Sequence, residues 1–193
     1  METTFRSYSK NIMIPKHKLQ NCKVLPSRYD IISSLKKNGT CAEIGINKGF
    51  FSQKIIELNK PKELHLIDIN EEVINNSKLI FEKKNNIKYV IGDSRKILLE
   101  YPTNYFDWVF IDTDHTYDTT KIEIEHCKRI LKKDGVMLLH DYIPVEYVKS
   151  YETWGVIGAV NEFVENSDWE FKFISLEPHM FITVALSRIN NLF

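Results

Sequence analysis

The segment from Thr40 to Ile55, TCAEIGINKGFFSQKI, constrains the fold most strongly. A short apolar run ends at Glu43, a tight turn contains Gly45 and Gly49, and an amphipathic helix follows. This order predicts a β-strand, a glycine turn and a helix N-terminus, where free backbone N–H groups favour an anionic or acceptor-rich ligand. The turn is therefore the first candidate for a ligand-binding site.

Apolar strands and amphipathic helices alternate along the rest of the chain. The predicted strands are 40–44, 63–67, 87–91, 106–111 and 136–139, and the helices that follow them are 50–58, 71–84, 95–100, 119–131 and 156–164. A β-hairpin, 169–174 and 181–186, closes the chain. Because parallel neighbours need crossover helices, the pattern predicts an α/β fold. We expect a Rossmann-like doubly wound sheet of five parallel strands with helices on both faces, plus the C-terminal hairpin, making seven strands with one antiparallel.

The first 26 residues show no clean hydrophobic period and contain two prolines. We expect residues 1–26 to form an arm that folds over the domain or onto a second subunit, as in a homodimer; a frayed tail fits the pattern equally well. Lys16 and Lys18 are expected to face solvent. Ser27 and Asn70 are the expected N-caps of helices 28–37 and 71–84.

Composition argues against several classes of protein. Lys+Arg 26 balances Asp+Glu 26, so no net field recruits nucleic acid. The three cysteines are widely spaced, which argues against a disulfide framework or a zinc site and suits a reducing compartment. No apolar run is long enough to cross a bilayer, and the N-terminus lacks a secretory signal. We therefore expect a cytoplasmic protein with neither a membrane nor a nucleic-acid partner.

An acid stands at the carboxyl end of every predicted parallel strand. These acids are Glu43, Asp68, Asp93, Asp112 and Asp141. A lone acid in a loop is ordinarily just solvated. The carboxyl ends of parallel strands meet at one edge of a sheet, however, and open α/β sheets bind their ligands there. The repetition therefore favours a binding site at this edge.

The glycine turn differs from a dinucleotide fingerprint, because Asn47 stands where a middle glycine would fall in G-x-G-x-x-G. Asp68 lies about 20 residues beyond Gly45, a separation at which a carboxylate binds a ribose diol. Asp93 and Ser94 are candidates to hold an adenine amine. These features favour an adenosine ligand without phosphates. The predicted ligand-binding residues are Glu43, Gly45, Asn47, Gly49, Asp68, Ile69, Asp93, Ser94 and Asp112.

From Pro26 to Ser187 the chain resembles class I S-adenosylmethionine-dependent methyltransferases. AEIGINKGFFS is similar to their first motif, HLIDIN to their ribose-binding strand end and GDS to their adenine-side loop. Residues 106–142 contain IDTDHTY and HDY and resemble a branch of small O-methyltransferases with the pattern I-D-G-D-H-x-Y, L-x-x-G-G and D-Y. Thr113 stands where that pattern has glycine, and Asp134-Gly135 stands where it has Gly-Gly.

The branch includes enzymes that methylate sugar hydroxyls, and it neighbours catechol O-methyltransferase-like enzymes. The resemblance implies one methyltransferase domain over 27–193, with S-adenosylmethionine as cofactor and a small acceptor, a sugar or another hydroxylated metabolite. Asp112 and Asp141, at the ends of adjacent strands, are placed to share a divalent cation, and hard carboxylate ligands suit Mg²⁺. In related metal-dependent enzymes a third acid often follows the second, and Tyr142 stands at that position.

Methyl transfer to an alcohol needs a base or a metal that makes the acceptor oxygen nucleophilic. His115 is the candidate general base, since it follows Asp112 closely and a neighbouring carboxylate can orient its ring. A loop histidine that caps the next helix is the alternative. His140 ends an apolar strand and is expected to be structural.

Other functions fit parts of the pattern. A catechol-like acceptor is the second choice of substrate. An NAD-linked oxidoreductase is disfavoured by the glycine spacing. A cofactor-binding protein without turnover is disfavoured by the intact set of acids at the sheet edge.

Overall fold

A computed structural model of the chain describes residues 12–144, 154–178 and 181–189. The strands are β1 (Lys23–Leu25), β2 (Thr40–Ile44), β3 (Glu63–Asp68), β4 (Ile87–Ile91), β5 (Phe106–Ile111), β6 (Leu131–Leu139), β7 (Trp169–Ser175) and β8 (Val184–Arg188). The helices are α1 (Arg28–Ser34), α2 (Phe50–Leu58), α3 (Glu71–Ile80), α4 (Ser94–Glu100), α5 (Tyr117–Ile130) and α6 (Val156–Glu165), with a 3₁₀ turn at Lys16–Leu19. None of these helices is long and apolar enough to cross a membrane.

The strands form one sheet in the order β1-β7-β8-β6-β5-β2-β3-β4. Within the described residues, β8 alone runs antiparallel to its neighbours β6 and β7. The α/β class and the closing hairpin are confirmed. The sheet has one strand more than expected, because β1 in the predicted arm pairs in parallel with β7, Lys23 opposite Phe173. A strand of three residues is too short to show a period in sequence.

Two buried clusters cover the two faces of the sheet. Ala42 and Val109 pack with α4, α5 and α6 on one face. Cys41 and Trp108 pack with α1, α2 and α3 on the other. Since successive residues of a strand point to opposite faces, burial on both sides explains why β2 and β5 are unbroken apolar runs.

The helix caps follow the local sequence. Ser27 and Asn70 accept backbone hydrogen bonds at the starts of α1 and α3, which confirms both predicted N-caps. Helix α5 begins at Tyr117, earlier than predicted, because the Thr116 side chain accepts a hydrogen bond from the Thr119 backbone N–H. Residues 1–11 of the expected arm, and residues 145–153 ahead of α6, lie outside the described part of the chain.

Lys18 is buried, so the expectation that it faces solvent was wrong. Its side chain is only 5% exposed. Its Nζ donates to the backbone carbonyls of Ser167 and Trp169, at the start of β7. An ammonium group can lie in such a position because carbonyl oxygens replace the water it loses. The segment before β1 is thus tied to the start of β7, the strand beside the edge strand β1.

Strand order places a ligand site at one point along the sheet. From β2 the chain proceeds to β3 and β4 on one side, and it then crosses to β5 and β6 on the other. A crevice forms beyond the carboxyl ends of the strands where this direction reverses. The reversal lies between β2 and β5, which are hydrogen-bonded neighbours.

Asp107 stabilises the opposite, amino-terminal end of the same two strands. Its carboxylate accepts hydrogen bonds from Lys36 Nζ at 2.7 Å, Lys132 Nζ at 2.8 Å and the Thr40 backbone N–H at 2.9 Å. Burial acts to raise the pKa of Asp107, but the hydrogen bonds from Lys132 and Lys36 outweigh it and hold the pKa below its ordinary value. The charged form therefore stabilises the folded state.

Asp107→Asn is expected to lower the free energy of unfolding by about 1–3 kcal/mol at pH 7, because the two lysines lose their charged partner. A depressed carboxyl pKa stabilises the fold above the unfolded pKa of about 3.9, and this stabilisation is lost as pH falls through the folded pKa. Urea unfolding at pH 7 and pH 3 should show the difference between the variant and the wild type shrinking in acid. Glu165→Gln, at an exposed acid, is the control and should show little change at either pH.

Candidate functional site

A cavity of about 480 Å³ opens beyond the carboxyl ends of β2, β3, β4 and β5. A volume of this size suits a small-molecule ligand, for which pockets of roughly 300–1,000 Å³ are usual. The predicted ligand-binding residues in its wall are Gly45, Asn47, Asp68, Ile69, Asp93, Ser94 and Asp112. The topology therefore brings most of the predicted set together around one space.

Two of the predicted ligand-binding residues are not part of that wall. Glu43 is 1% exposed, and burial raises the pKa of its carboxyl to about 8. Its Oε2 has no hydrogen-bond partner among the described residues. Gly49 is the N-cap of α2, with φ 75°, and a Cβ added there would lie 3.7 Å from the Phe81 ring. Both residues lie around the turn without facing the cavity.

Backbone geometry explains the glycine at the start of the turn. Gly45 has φ 87°, and a Cβ added there would lie 2.0 Å from the carbonyl oxygen of Asp112. No residue with a side chain fits that separation. The next N–H, of Ile46, donates to Oδ2 of Asp68 at 2.9 Å, so the turn is held against the end of β3 as well.

The predicted adenine-side residues have partners within the protein. The Asp93 carboxylate accepts hydrogen bonds from Nε and NH2 of Arg95, at 2.9 and 2.7 Å. The Ser94 hydroxyl donates to Glu123 at 2.5 Å. Arg95 also lines the cavity, which the sequence did not lead us to expect. The guanidinium group is thus held in a fixed plane at the cavity wall by a bidentate ion pair.

His115 joins the two strand-end acids predicted to bind a metal. Its Nε2 lies 2.9 Å from Oδ1 of Asp112 and 3.1 Å from Oδ2 of Asp141. Single ligand atoms of the three side chains all lie within 4.8 Å of one another. Asp112 follows β5 and Asp141 follows the neighbouring strand β6, so this cluster depends on strand pairing.

The three side chains of this cluster change one another's pKa values. Burial of the His115 ring acts to lower its pKa, but the hydrogen bond to Asp112 and the charge of Asp141 outweigh it and raise the pKa. Burial raises the pKa of Asp141 to about 6, and the neighbouring Asp112 charge adds to this. An imidazolium between two carboxylates is therefore the favoured state in the absence of another cation.

The local backbone holds His115 and Asp141 in an unusual conformation. They have φ values of 62° and 57°, in the left-handed region that residues with side chains rarely adopt. The His115 ring stacks on Trp154 at 4.2 Å between ring centroids, and Trp154 Nε1 donates to the carbonyl of Asp141 at 3.2 Å. Strain of this kind persists where surrounding contacts over-determine it, commonly at active sites.

His140 has a supporting position beside the cluster, as expected. Arg28 donates from NH1 to His140 Nε2 at 2.7 Å, which places the ring proton on Nδ1, 2.9 Å from the Thr183 hydroxyl. Burial lowers the pKa of His140 to about 4, so the ring is neutral. Its Nε2 therefore has no proton to give to Asp141. The Oδ1 of Asp141 is buried and accepts no hydrogen bond from any residue that the structure describes.

Comparison with known proteins identifies the family. The family model described as a methyltransferase domain matches residues 42–142 of the 193 residues, from β2 to the end of the cluster. The chain belongs to this methyltransferase domain family.

The individual proteins that this methyltransferase resembles are distant relatives. It is 26% identical over 136 residues to malonyl-[acyl-carrier protein] O-methyltransferase 2 of Ilyobacter polytropus, covering 70% of this chain and 49% of that one. It is 21% identical over 169 residues to polyamine aminopropyltransferase of Prochlorococcus marinus, covering 81% and 58%. The chain thus spans about half the length of the curated relatives it matches. Aeropyrum pernix fibrillarin, solved with natively bound S-adenosyl-L-methionine, shares the fold with a TM-score of 0.62 at 14% identity, covering 82% and 73%.

One buried acid of this methyltransferase chain was not expected from sequence. Hydrophobicity alone favours Ile122 over its neighbour Glu123 for the inward face of α5, yet Ile122 is 38% exposed and Glu123 is 0% exposed. Glu123 stands four residues from both Thr119 and Cys127, which are buried on the same face of the helix. An acid in register with a buried face is the sequence signal that identifies such a residue.

The two histidines at the site are expected to titrate differently. In a ¹³C-histidine NMR titration, His115 should have a midpoint above the ordinary value of about 6.5, because two carboxylates stabilise its cation. Asp141→Asn should lower that midpoint. His140, with its pKa lowered to about 4, should stay neutral over the same range and is the internal control. A His115 midpoint at or below 6.5 in the wild type would contradict the proposed charge state.

Proposed function

We propose that this protein transfers the methyl group of S-adenosylmethionine to a hydroxyl of a small acceptor, a sugar or glycosylated metabolite. The observation that carries the proposal is the position of His115 Nε2 between the carboxylates of Asp112 and Asp141, beside the cavity. When bound, S-adenosylmethionine supplies an electrophilic methyl group. The chain has to align the acceptor and take up its hydroxyl proton.

Several features of the cavity suit an adenosyl ligand. Asp68 ends β3, where a carboxylate can accept from a ribose diol; its oxygens bind the N–H groups of Ile46 and Asn70 and retain further lone pairs. Ile69 is 72% exposed and offers an apolar surface in the cavity wall. The fixed plane of Arg95 suits stacking on an adenine ring. The bound S-adenosyl-L-methionine in A. pernix fibrillarin, which has the same fold, supports this choice.

His115 is the general base in this proposal. Because the N–H at Nε2 of the neutral ring donates to the two carboxylates, Nδ1 is the nitrogen that accepts the acceptor's hydroxyl proton, and Asp112 and Asp141 stabilise the imidazolium that results. Because the two carboxylates raise the pKa of His115, its neutral form is a stronger base than an ordinary histidine. Stacking on Trp154 restricts the orientation of the ring.

The same three side chains fit a divalent cation. Asp112 and Asp141 supply carboxylate oxygens, which suit Mg²⁺, and Oδ1 of Asp141, which has no hydrogen-bond partner in the described part of the chain, is available as a ligand atom. The same carboxylate oxygens suit Mn²⁺, and the imidazole of His115 adds a nitrogen ligand of the kind that transition metals accept. Tyr142, where a third acid often stands, donates its hydroxyl to Asn161 at 2.6 Å. A cation here would lower the pKa of a bound hydroxyl.

Oxygen is the proposed methyl acceptor on two grounds. The segment 106–142 resembles the small O-methyltransferase branch, and the I. polytropus relative is named an O-methyltransferase. A catechol-like acceptor and a cofactor-binding protein without turnover remain as outcomes of the test. With acidic and basic residues in equal number, nucleic acid lies outside the proposed acceptors. We propose that one domain carries the function, comprising residues 27–193 together with β1, which pairs with β7 in the same sheet.

The proposal is tested by incubating the protein with S-adenosylmethionine and a panel of glycosides, nucleotide sugars and catechols, and measuring S-adenosylhomocysteine release. Turnover is expected with a sugar hydroxyl. Turnover with catechols alone would show that the acceptor is a catechol and not a sugar.

If the cluster binds a metal, EDTA should stop turnover and Mg²⁺ or Mn²⁺ should restore it. Full activity in EDTA, lost in His115→Asn, would show that His115 acts without a metal. No turnover on any acceptor, with cofactor binding intact, would favour a binding protein.

Asp68→Asn is expected to weaken S-adenosylhomocysteine binding about 10- to 100-fold, because the ribose loses a charged hydrogen-bond partner. The amide oxygen can still accept the backbone N–H of Ile46, which limits the effect on the turn. Isothermal titration calorimetry measures the change. Glu71→Gln is the control, because Glu71 is an exposed acid that does not line the cavity. Unchanged affinity in Asp68→Asn would overturn the assignment of this site to the adenosyl ligand.

A further inference from the structure

We propose that Glu123 is a positioning residue that ties the loop carrying His115 to the first turn of α4 and thereby sets the shape of the cofactor cavity. The inference rests on the proposed function, because it concerns the same cavity. Glu123 is 0% exposed and does not line the cavity itself. It acts through two hydroxyl groups that belong to the cavity wall.

Each oxygen of the Glu123 carboxyl group holds one of those hydroxyls. Ser94 Oγ donates to Oε1 at 2.5 Å, and Thr113 Oγ1 donates to Oε2 at 3.0 Å. Ser94 begins α4 on the side predicted to face the adenine. Thr113 directly follows Asp112, whose carboxylate contacts His115. One buried carboxyl group thus connects the cofactor wall with the proposed catalytic loop.

The sheet alone does not hold these two loops together. The first follows β4, an edge strand that pairs with β3, and the second follows β5, which pairs with β2 and β6. Strands β2 and β3 lie between them in the sheet order. The Ser94–Glu123–Thr113 bridge therefore connects two loops whose own strands, β4 and β5, exchange no backbone hydrogen bonds in the described sheet.

The threonine that completes the bridge is a departure from the resembled pattern. Thr113 stands where small O-methyltransferases of the I-D-G-D-H-x-Y pattern have glycine, which has no hydroxyl to donate. In this chain the second carboxyl oxygen of Glu123 has a partner because of that replacement. A buried carboxyl group with both oxygens occupied is restricted in orientation, so it can transmit the position of one loop to the other.

The role is tested by S-adenosylhomocysteine affinity, measured by calorimetry, alongside the unfolding midpoint of each variant. Glu123→Ala is expected to weaken binding about tenfold or more, because both hydroxyls lose a strong acceptor. Glu123→Gln keeps one carbonyl oxygen and should restore part of the loss. Glu125→Ala, at an exposed glutamate on the same helix, is the matched control and should bind like the wild type.

A cycle of variants separates positioning from a general effect on stability. Ser94→Ala and Thr113→Val should each weaken binding in the wild-type background and have no further effect in the Glu123→Ala background. Equal affinities of folded wild type and Glu123 variants would overturn the proposal while leaving the cofactor site intact. If Glu123→Ala does not fold, Glu123→Gln, Ser94→Ala and Thr113→Val decide the matter by the same criterion. A wild type that fails to bind S-adenosylhomocysteine would overturn the proposed function and this inference with it.

Discussion

The site depends on a close contact between two backbone segments at the reversal of strand order. The turn after β2 passes so near the end of β5 that a Cβ at Gly45 would lie 2.0 Å from the carbonyl oxygen of Asp112. Only glycine permits this approach. Because the two segments lie so close, one cavity is bordered both by the turn between β2 and α2 and by the side chains that follow β5. A residue with a side chain would force apart the two halves of the site.

A second constraint is the repulsion between acids gathered at one sheet edge. Asp112 and Asp141 lie close together in a partly buried position, where unpaired carboxylates are costly. His115 offsets that cost as an imidazolium held between them, at 2.9 and 3.1 Å. A cation at this position, either the imidazolium or a divalent metal ion, therefore lowers the electrostatic cost of bringing the two acids together. The left-handed backbone of His115 and Asp141 is the local strain associated with that arrangement.

Much of this could be predicted because it follows from local rules. Asp68, Asp112 and Asp141 end apolar runs, and topology alone brings strand ends to one edge. The inward face of α5 was harder to predict, because the side chains of adjacent residues in a helix point about 100° apart. Ile122 and Glu123 are such neighbours. Hydrophobicity favours Ile122 for the buried face, whereas the structure buries Glu123. The bridge from Ser94 to Thr113 supplies the hydrogen bonds that let the acid be buried.

The sequence by itself determined the α/β class, the position of the glycine turn and the chain of acids at one sheet edge, since these depend on periodicity and on residues adjacent in the chain. Only the tertiary structure decided that His115 contacts both Asp112 and Asp141, that Lys18 is buried against β7 and that β1 joins the sheet. Each of these depends on pairing between segments far apart in sequence. Such pairing is set by the packing of the whole chain, for which a local pattern contains no signal.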